Sequence, residues 1–250
     1  MSITIGSFNL YKFKAESNKK SAKDLKRIAE IIKGERFEII ALQEVFSDFL
    51  LNRSPVSLMS YLGKDYDCIW QESKGTIESY KEGYAFIWNK TIFQIEGRDD
   101  GELYKRHGAR KKLVRPPLVA RFVPVKTADN GFYELRLITT HMVFRKPSSV
   151  LESDAEYRRR ELKILTEEIY PDISDDRFGN FRPAYTLLMG DYNLCIEKTP
   201  RLNADTDRSL GLYETVLPNS RVSFFNRNPR TIITQQNELS SLKRPKNDIN

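Results

Sequence analysis

Apolar residues in this chain gather in short runs that stop at polar side chains, and these runs alternate with stretches of helical period. Ile3, Ile5, Phe8 and Leu10 enclose Ser7 and Asn9 in a first strand that closes on a polar residue. Ser21 is expected to open a helix with Asp24 as its capping partner, and Leu25, Ile28, Ile31 and Ile32 keep the 3.6-residue period until Gly34. Phe37, Ile39, Ile40, Ala41 and Leu42 make a near-continuous apolar run, the pattern of a strand buried on both faces, and it stops at Gln43 and Glu44. Phe46 to Leu62 reads as a helix interrupted at Pro55, and Tyr66 to Gln71 as a strand. Glu82 and Gly83 lead into an aromatic strand from Tyr84 to Asn89. The strands expected at Leu118 to Val125 and Tyr133 to Thr139 flank Asp129-Asn130-Gly131, a hairpin signal, and the second of them ends at Thr140-His141. Glu152 to Ile169 carries helical period through Tyr157, Leu162 and Leu165, with Arg158, Arg159 and Arg160 assigned to its solvated side. Pro171 to Pro183 reads as a polar loop.

The run Leu187-Leu188-Met189 then breaks at Gly190 and delivers Asp191 and Asn193. Two residues apart on an extended backbone, they face the same way. A carboxylate and a carboxamide so placed suit a phosphate held beside a hard divalent cation, and an Asx-rich exit from a strand into a turn would look the same. Beyond Asn193 a short helix at Leu210 to Leu217 and a hairpin at Val222 to Phe225 with Thr231 to Thr234 are expected. Mixed strands and helices without an internal repeat, in 250 residues, predict one α/β domain over 1–250.

Charge adds a direction. Lys and Arg number 41 against 34 Asp and Glu, a formal net charge of +7, which makes a polyanionic partner plausible. Lys105, Arg106, His107, Arg110, Lys111, Lys112 and Arg115 crowd the segment before the Leu118 strand. Two cysteines, Cys68 and Cys195, both in apolar contexts, exclude a disulfide scaffold and a cysteine metal site. No run approaches the ~20 apolar residues of a membrane span, and the first residues carry no basic and apolar leader, so a cytoplasmic protein is expected.

Five strand ends therefore present Asn9, Glu44, Glu82, His141 and the pair Asp191 and Asn193. Singly, each has a bland reading, a cap or a hydrogen-bonded core residue; jointly they describe one edge of a sheet sandwich. The segments Ser7-Phe8-Asn9-Leu10, Leu42-Gln43-Glu44-Val45, Thr139-Thr140-His141 and Met189-Gly190-Asp191-Tyr192-Asn193 resemble, in order and separation, the endonuclease/exonuclease/phosphatase superfamily over residues 1 to about 195. Ser79-Tyr80-Lys81-Glu82 before an aromatic strand, and Arg115-Pro116-Pro117, resemble its deoxyribonuclease I branch.

That resemblance implies two packed mixed β-sheets flanked by helices, a four-layer α/β/β/α sandwich with its site at one edge. It implies Asn9 and Glu44 as metal residues for Mg²⁺, or for Mn²⁺ or Ca²⁺ in its place. Glu82, His141, Asp191 and Asn193 take the catalytic roles: His141 meets the phosphate, Glu82 orients it, Asp191 handles the attacking water and Asn193 holds the phosphate. Tyr80 and Arg115 are implied as substrate-binding residues, and the partner as nucleic acid, DNA first, met by a monomer. The family's closing segments, a Tyr-Asp or Asn-Asp strand and a Ser-Asp-His, have no counterpart, since no histidine follows His141. A fragment of a longer reading frame is expected from this, in preference to a variant without full catalysis. Three functions stay open: a nuclease, a phosphatase or phospholipase on a small or lipid phosphate, and a catalytically impaired nucleic-acid-binding module.

Overall fold

Side chains alternate across each strand, and this sorts the apolar residues into three layers of core. The computed structural model describes residues 3–13, 23–46, 57–74, 81–97, 101–105, 113–125, 133–145, 149–176 and 182–194. One sheet has the order β1 (Ile5–Phe13), β2 (Ile39–Val45), β4 (Lys81–Asn89), β3 (Tyr66–Lys74). β1 and β2 run parallel, and β4 is antiparallel to both of its neighbours. The other sheet has the order β5 (Phe93–Ile95), β7 (Leu118–Pro124), β8 (Glu134–His141), β9 (Ala184–Asp191), with β6 (Glu102–Leu103) also paired to β7. β7 and β8 are antiparallel, while β8 and β9 are parallel.

Ile39 and Ala41 of β2 and Tyr84, Phe86 and Trp88 of β4 meet Leu118, Ala120, Phe122, Leu135 and Leu137 between the sheets. The intervening residues, Ile40, Leu42, Ala85 and Ile87, point the other way and pack with Ile28 and Ile32 of α1 (Leu25–Gly34). On the far side Ile138 meets Leu162 of α3 (Asp154–Ile164), Leu165 and Ile169 of a π turn (Leu165–Ile169), and Ile173 of α4 (Tyr170–Asp175). β2 and β8 are thus buried on both faces, which is why the start of β2 reads as a near-continuous apolar run; β8 buries polar residues as well. The architecture is the expected sandwich of helices on two mixed sheets.

Several local expectations change. α1 starts after Asp24, whose side chain accepts from the Arg27 amide at 3.0 Å and is itself the N-cap; Ser21 lies outside the described residues. Within Phe46 to Leu62 the described helix is α2 (Leu58–Leu62), opened by a capping box at Ser57. β3 runs on to Lys74. The helical path through Ile169 continues past Pro171 to Asp175, over the start of the segment expected as a loop, with Pro171 directly after the π turn. Arg158, assigned to the solvated side, is 3% exposed; its guanidinium donates to the Phe144 carbonyl and its stem packs inward. Cys68 is buried as expected. The Asp129-Asn130-Gly131 turn, Cys195 and the elements expected after Leu194 lie outside the described residues, although the strands flanking the turn do pair as a hairpin would.

Candidate active site

The same alternation that builds the inter-sheet core carries its polar end. Along β1, Ile3 and Ile5 face that core, and Ser7 and Asn9 continue the series. Ala41 leads to Gln43 on β2, Tyr84 back to Glu82 on β4, Leu137 to Thr139 and His141 on β8, and Met189 to Asp191 on β9. β4 opposes β2, so the start of β4 and the ends of the other four strands share one edge. Gln43 spans the sheets there, its amide donating to Ser7 Oγ at 3.1 Å and to Thr139 Oγ1 at 2.8 Å.

Glu44 breaks the alternation. By parity it belongs with Ile40 and Leu42 on the helix side, yet its φ of 57° lies in the left-handed region and turns its side chain to the edge. There its Oε1 accepts from Asn9 Nδ2 at 3.0 Å and lies 3.7 Å from His141 Nε2. Asn9 Nδ2 also donates to Asp191 Oδ2 at 2.9 Å, while Asn9 Oδ1 accepts from the Tyr11 amide at 2.8 Å. Two acceptors around the nitrogen and one donor at the oxygen fix the amide's orientation. Asn9 therefore turns its nitrogen, not its oxygen, to the two carboxylates. Glu44 and Asp191 form a pair of oxygen donors that suits a hard divalent ion. Among the described residues no group of three or more His, Cys, Asp and Glu is placed to hold a metal ion, so an ion bound by this pair would need further oxygen ligands.

His141 sits between this pair and a buried ion pair. Its Nδ1 is 2.8 Å from Glu82 Oε1, to which Arg115 Nη1 also donates at 2.9 Å. Arg115 Nη1 lies 3.2 Å from Nδ1 as well, but a ring nitrogen cannot donate to Glu82 and accept from Arg115 at once. Both protons go to the carboxylate, and the lone pair of the neutral ring falls on Nε2, 3.3 Å from Asn193 Nδ2. The backbone is held too. The His141 amide donates to the Tyr84 hydroxyl at 3.0 Å, and complete burial drives that phenol well above its ordinary range.

Asp191 is set by β8 and β9: their register pairs it with His141 and pairs Gly190 with Thr140. Asp191 Oδ1 accepts from the Asn193 amide at 2.9 Å, and Asn193, with φ of 49°, donates from Nδ2 to the Met142 carbonyl at 2.7 Å. Asn9, Glu44, Glu82, His141, Asp191 and Asn193 are thus brought to one edge. Arg115 joins them from within, its side chain 10% exposed. Tyr80, His107, Arg106, Arg110, Lys111 and Lys112 lie outside the described residues. Sequence reasoning gave no role to Gln43, Tyr84 or Glu161. The inward parity of Gln43 and Tyr84 was their available signal; Glu161 had none, its partner being a backbone amide distant in sequence.

A family model described as the Endonuclease/Exonuclease/phosphatase family matches residues 6–236. A solved endonuclease/exonuclease/phosphatase family protein from Bacteroides thetaiotaomicron is similar over 77% of this chain and 64% of its own, at 21% identity and a TM-score of 0.50. This chain therefore spans a little under two thirds of that protein's length. The endonuclease/exonuclease/phosphatase from Bacteroides vulgatus is similar over 85% of this chain and 69% of its own, at 18% identity and a TM-score of 0.50. At such identities the likeness is one of fold. No curated protein matches the chain. The family model extends some forty residues past the segment in which the motifs were legible, and with nearly the whole chain matched, this protein belongs to the Endonuclease/Exonuclease/phosphatase family, a family of hydrolases.

Proposed function

We propose that this chain hydrolyses phosphate esters with a divalent metal ion, Mg²⁺ first and Mn²⁺ or Ca²⁺ as substitutes, and that its substrate is the phosphodiester backbone of DNA. The observation that carries the reading is the histidine fixed by Glu82 on one nitrogen, with its other nitrogen beside Asn193 and the Glu44 and Asp191 pair. Glu44 would hold the ion, and Asn9 sets its separation from Asp191. When bound, the ion neutralises charge on a phosphate oxygen.

The remaining chemistry belongs to the side chains. Asp191, its two oxygens held by Asn9 and Asn193, orients the attacking water and takes its proton. Asn193 Nδ2 gives one hydrogen to the Met142 carbonyl, and the other, which faces His141 Nε2, would pass to a phosphate oxygen when that ring nitrogen is protonated. His141, once protonated, donates from Nε2 to the leaving ester oxygen as its bond to phosphorus breaks, and Glu82 stabilises the imidazolium. The net charge of +7 supports a polyanionic substrate.

A second reading, a phosphomonoesterase on a small phosphate, is favoured by Arg115: its guanidinium turns inward to Glu82 and His141 and does not lie along a polymer backbone. A plasmid-nicking assay with Mg²⁺, run beside hydrolysis of a small phosphate monoester, decides between them. Nicking by the wild type, lost in His141→Ala, supports the nuclease. Monoester turnover without nicking supports the second reading, and DNA binding without turnover of either leaves a binding module.

A further inference from the structure

Glu161 is a buried acid on α3, remote in sequence from every strand end of the site. Its Oε1 accepts from the backbone amide of Val114 at 2.9 Å. Val114 precedes Arg115, whose Nη1 reaches Glu82 Oε1 at 2.9 Å and the His141 carbonyl at 3.4 Å. Residues 113–117 belong to no helix or strand, so backbone contacts of this kind determine where Arg115 is delivered. The guanidinium is incompletely tied by its own side chain, since its buried Nε has no hydrogen-bond partner. A carboxylate on a buried helix face costs free energy that an apolar residue of the same size avoids, so packing alone does not account for Glu161.

We propose that Glu161 is a positioning residue for His141: by holding the Val114 amide it keeps Arg115 docked on Glu82, and Glu82 fixes the imidazole. This rests on the reading of His141 as part of the reacting centre. The charged and titratable groups facing Glu161 are Arg115 from the loop, Tyr84 from β4, Tyr157 and Arg160 from its own helix, and Glu152 just before it. Burial pushes Glu161 up to about 7, against the Val114 hydrogen bond and the positive charge of Arg115. Its charge therefore changes near neutrality. The ionised form accepts a charge-assisted hydrogen bond from Val114 and draws Arg115, so the hold tightens as pH rises through that value.

The chain has two histidines, so His107→Ala leaves His141 as the single imidazole signal. In that background the His141 ring Cε1–H resonance is followed by NMR from about pH 5 to about pH 9, with and without Glu161→Gln. We expect a Glu161-dependent inflection near neutrality that Glu161→Gln abolishes. In parallel, kcat and KM are measured on bis(4-nitrophenyl) phosphate with Mg²⁺. Glu161→Ala is expected to lower kcat by roughly tenfold with KM within about twofold, as displacement of a group fixing the reacting imidazole should. Glu161→Gln keeps the acceptor and is expected to retain kcat within about twofold. Identical His141 titrations in the two backgrounds overturn the proposal, as does a folded Glu161→Ala with wild-type kcat. Should Glu161→Ala fail to fold, the Glu161→Gln titration decides. Should the wild type hydrolyse no phosphate ester, the hydrolase reading fails and the NMR comparison still decides whether Glu161 positions His141.

Discussion

Glu82 faces a guanidinium and an imidazole at once, in a place almost closed to water, and the free energy of that cluster depends on all three groups being present. Removing the carboxylate leaves Arg115 buried without its nearest counter-ion. Glu82→Ala should therefore destabilise the fold by about 3–5 kcal/mol, read as a fall in the urea midpoint with little change in slope. His141→Ala removes the proposed proton carrier without orphaning a charge; under that proposal hydrolysis should fall by about 10²-fold or more while the urea midpoint moves little. Glu161 carries a prediction about stability and pH. Its folded-state value, about 7, lies above the ordinary 4.5, so between these values the folded chain holds a proton that the unfolded chain has released. Stability from this group is thus fully present below the unfolded value and is lost as pH rises toward 7, by at most about 3 kcal/mol. Thermal unfolding of Glu161→Gln across that range should show a flatter dependence than the wild type. An unchanged slope would contradict the assignment.

Single elements deliver groups to the site through backbone features that a strand does not ordinarily contain. Gly190 has φ of 141°, and a Cβ built there would sit 1.9 Å from the Thr140 carbonyl oxygen of the paired strand. The register that sets Asp191 opposite His141 passes through this contact. Gly190→Ala must push β9 away from β8, costing about 2 kcal/mol or more and carrying Asp191 and Asn193 out of place. Activity should fall further than stability, which urea melts and turnover on the same sample would show. β2 contributes twice, through the left-handed Glu44 and through Gln43, which bridges Ser7 and Thr139 across the two sheets. In Gln43→Leu the two hydroxyls it served lose their donor, an expected loss of about 1–3 kcal/mol measurable by thermal melting.

At the scale of the whole molecule, three apolar layers support a polar edge. Phe86 and Phe122 pack edge to face at 5.6 Å in the layer between the sheets. No helix among the described residues is long and apolar enough to cross a membrane. The positive charge belongs to this scale as well: if DNA is the substrate, binding should weaken steeply between about 50 and 200 mM salt, in proportion to the phosphates neutralised. A small phosphate monoester would show a shallow dependence on the same axis.

The chain's order of apolar runs and polar stops determined the long strands and their buried faces, because period and parity are local properties of a backbone. The short β5 and β6 left no such signal, and the edge where Asn9, Glu82, His141 and Asp191 meet was expected from their joint placement and the motif resemblance. Glu44 belonged to that edge by its motif and against its parity, since a positive φ at a strand end leaves no mark in the alternation. The inward turn of Arg115, read from sequence as a contact for substrate, depends on Glu82 and His141, which approach it from two different sheets. Arg158 looked solvated because a triplet of arginines on a helix ordinarily is; the Phe144 carbonyl that draws one of them inward is supplied by a loop. The amide orientation of Asn9 and the burial of Glu161 were likewise decided by tertiary structure, because which atoms meet across sheets is a property of packing and not of spacing along the chain.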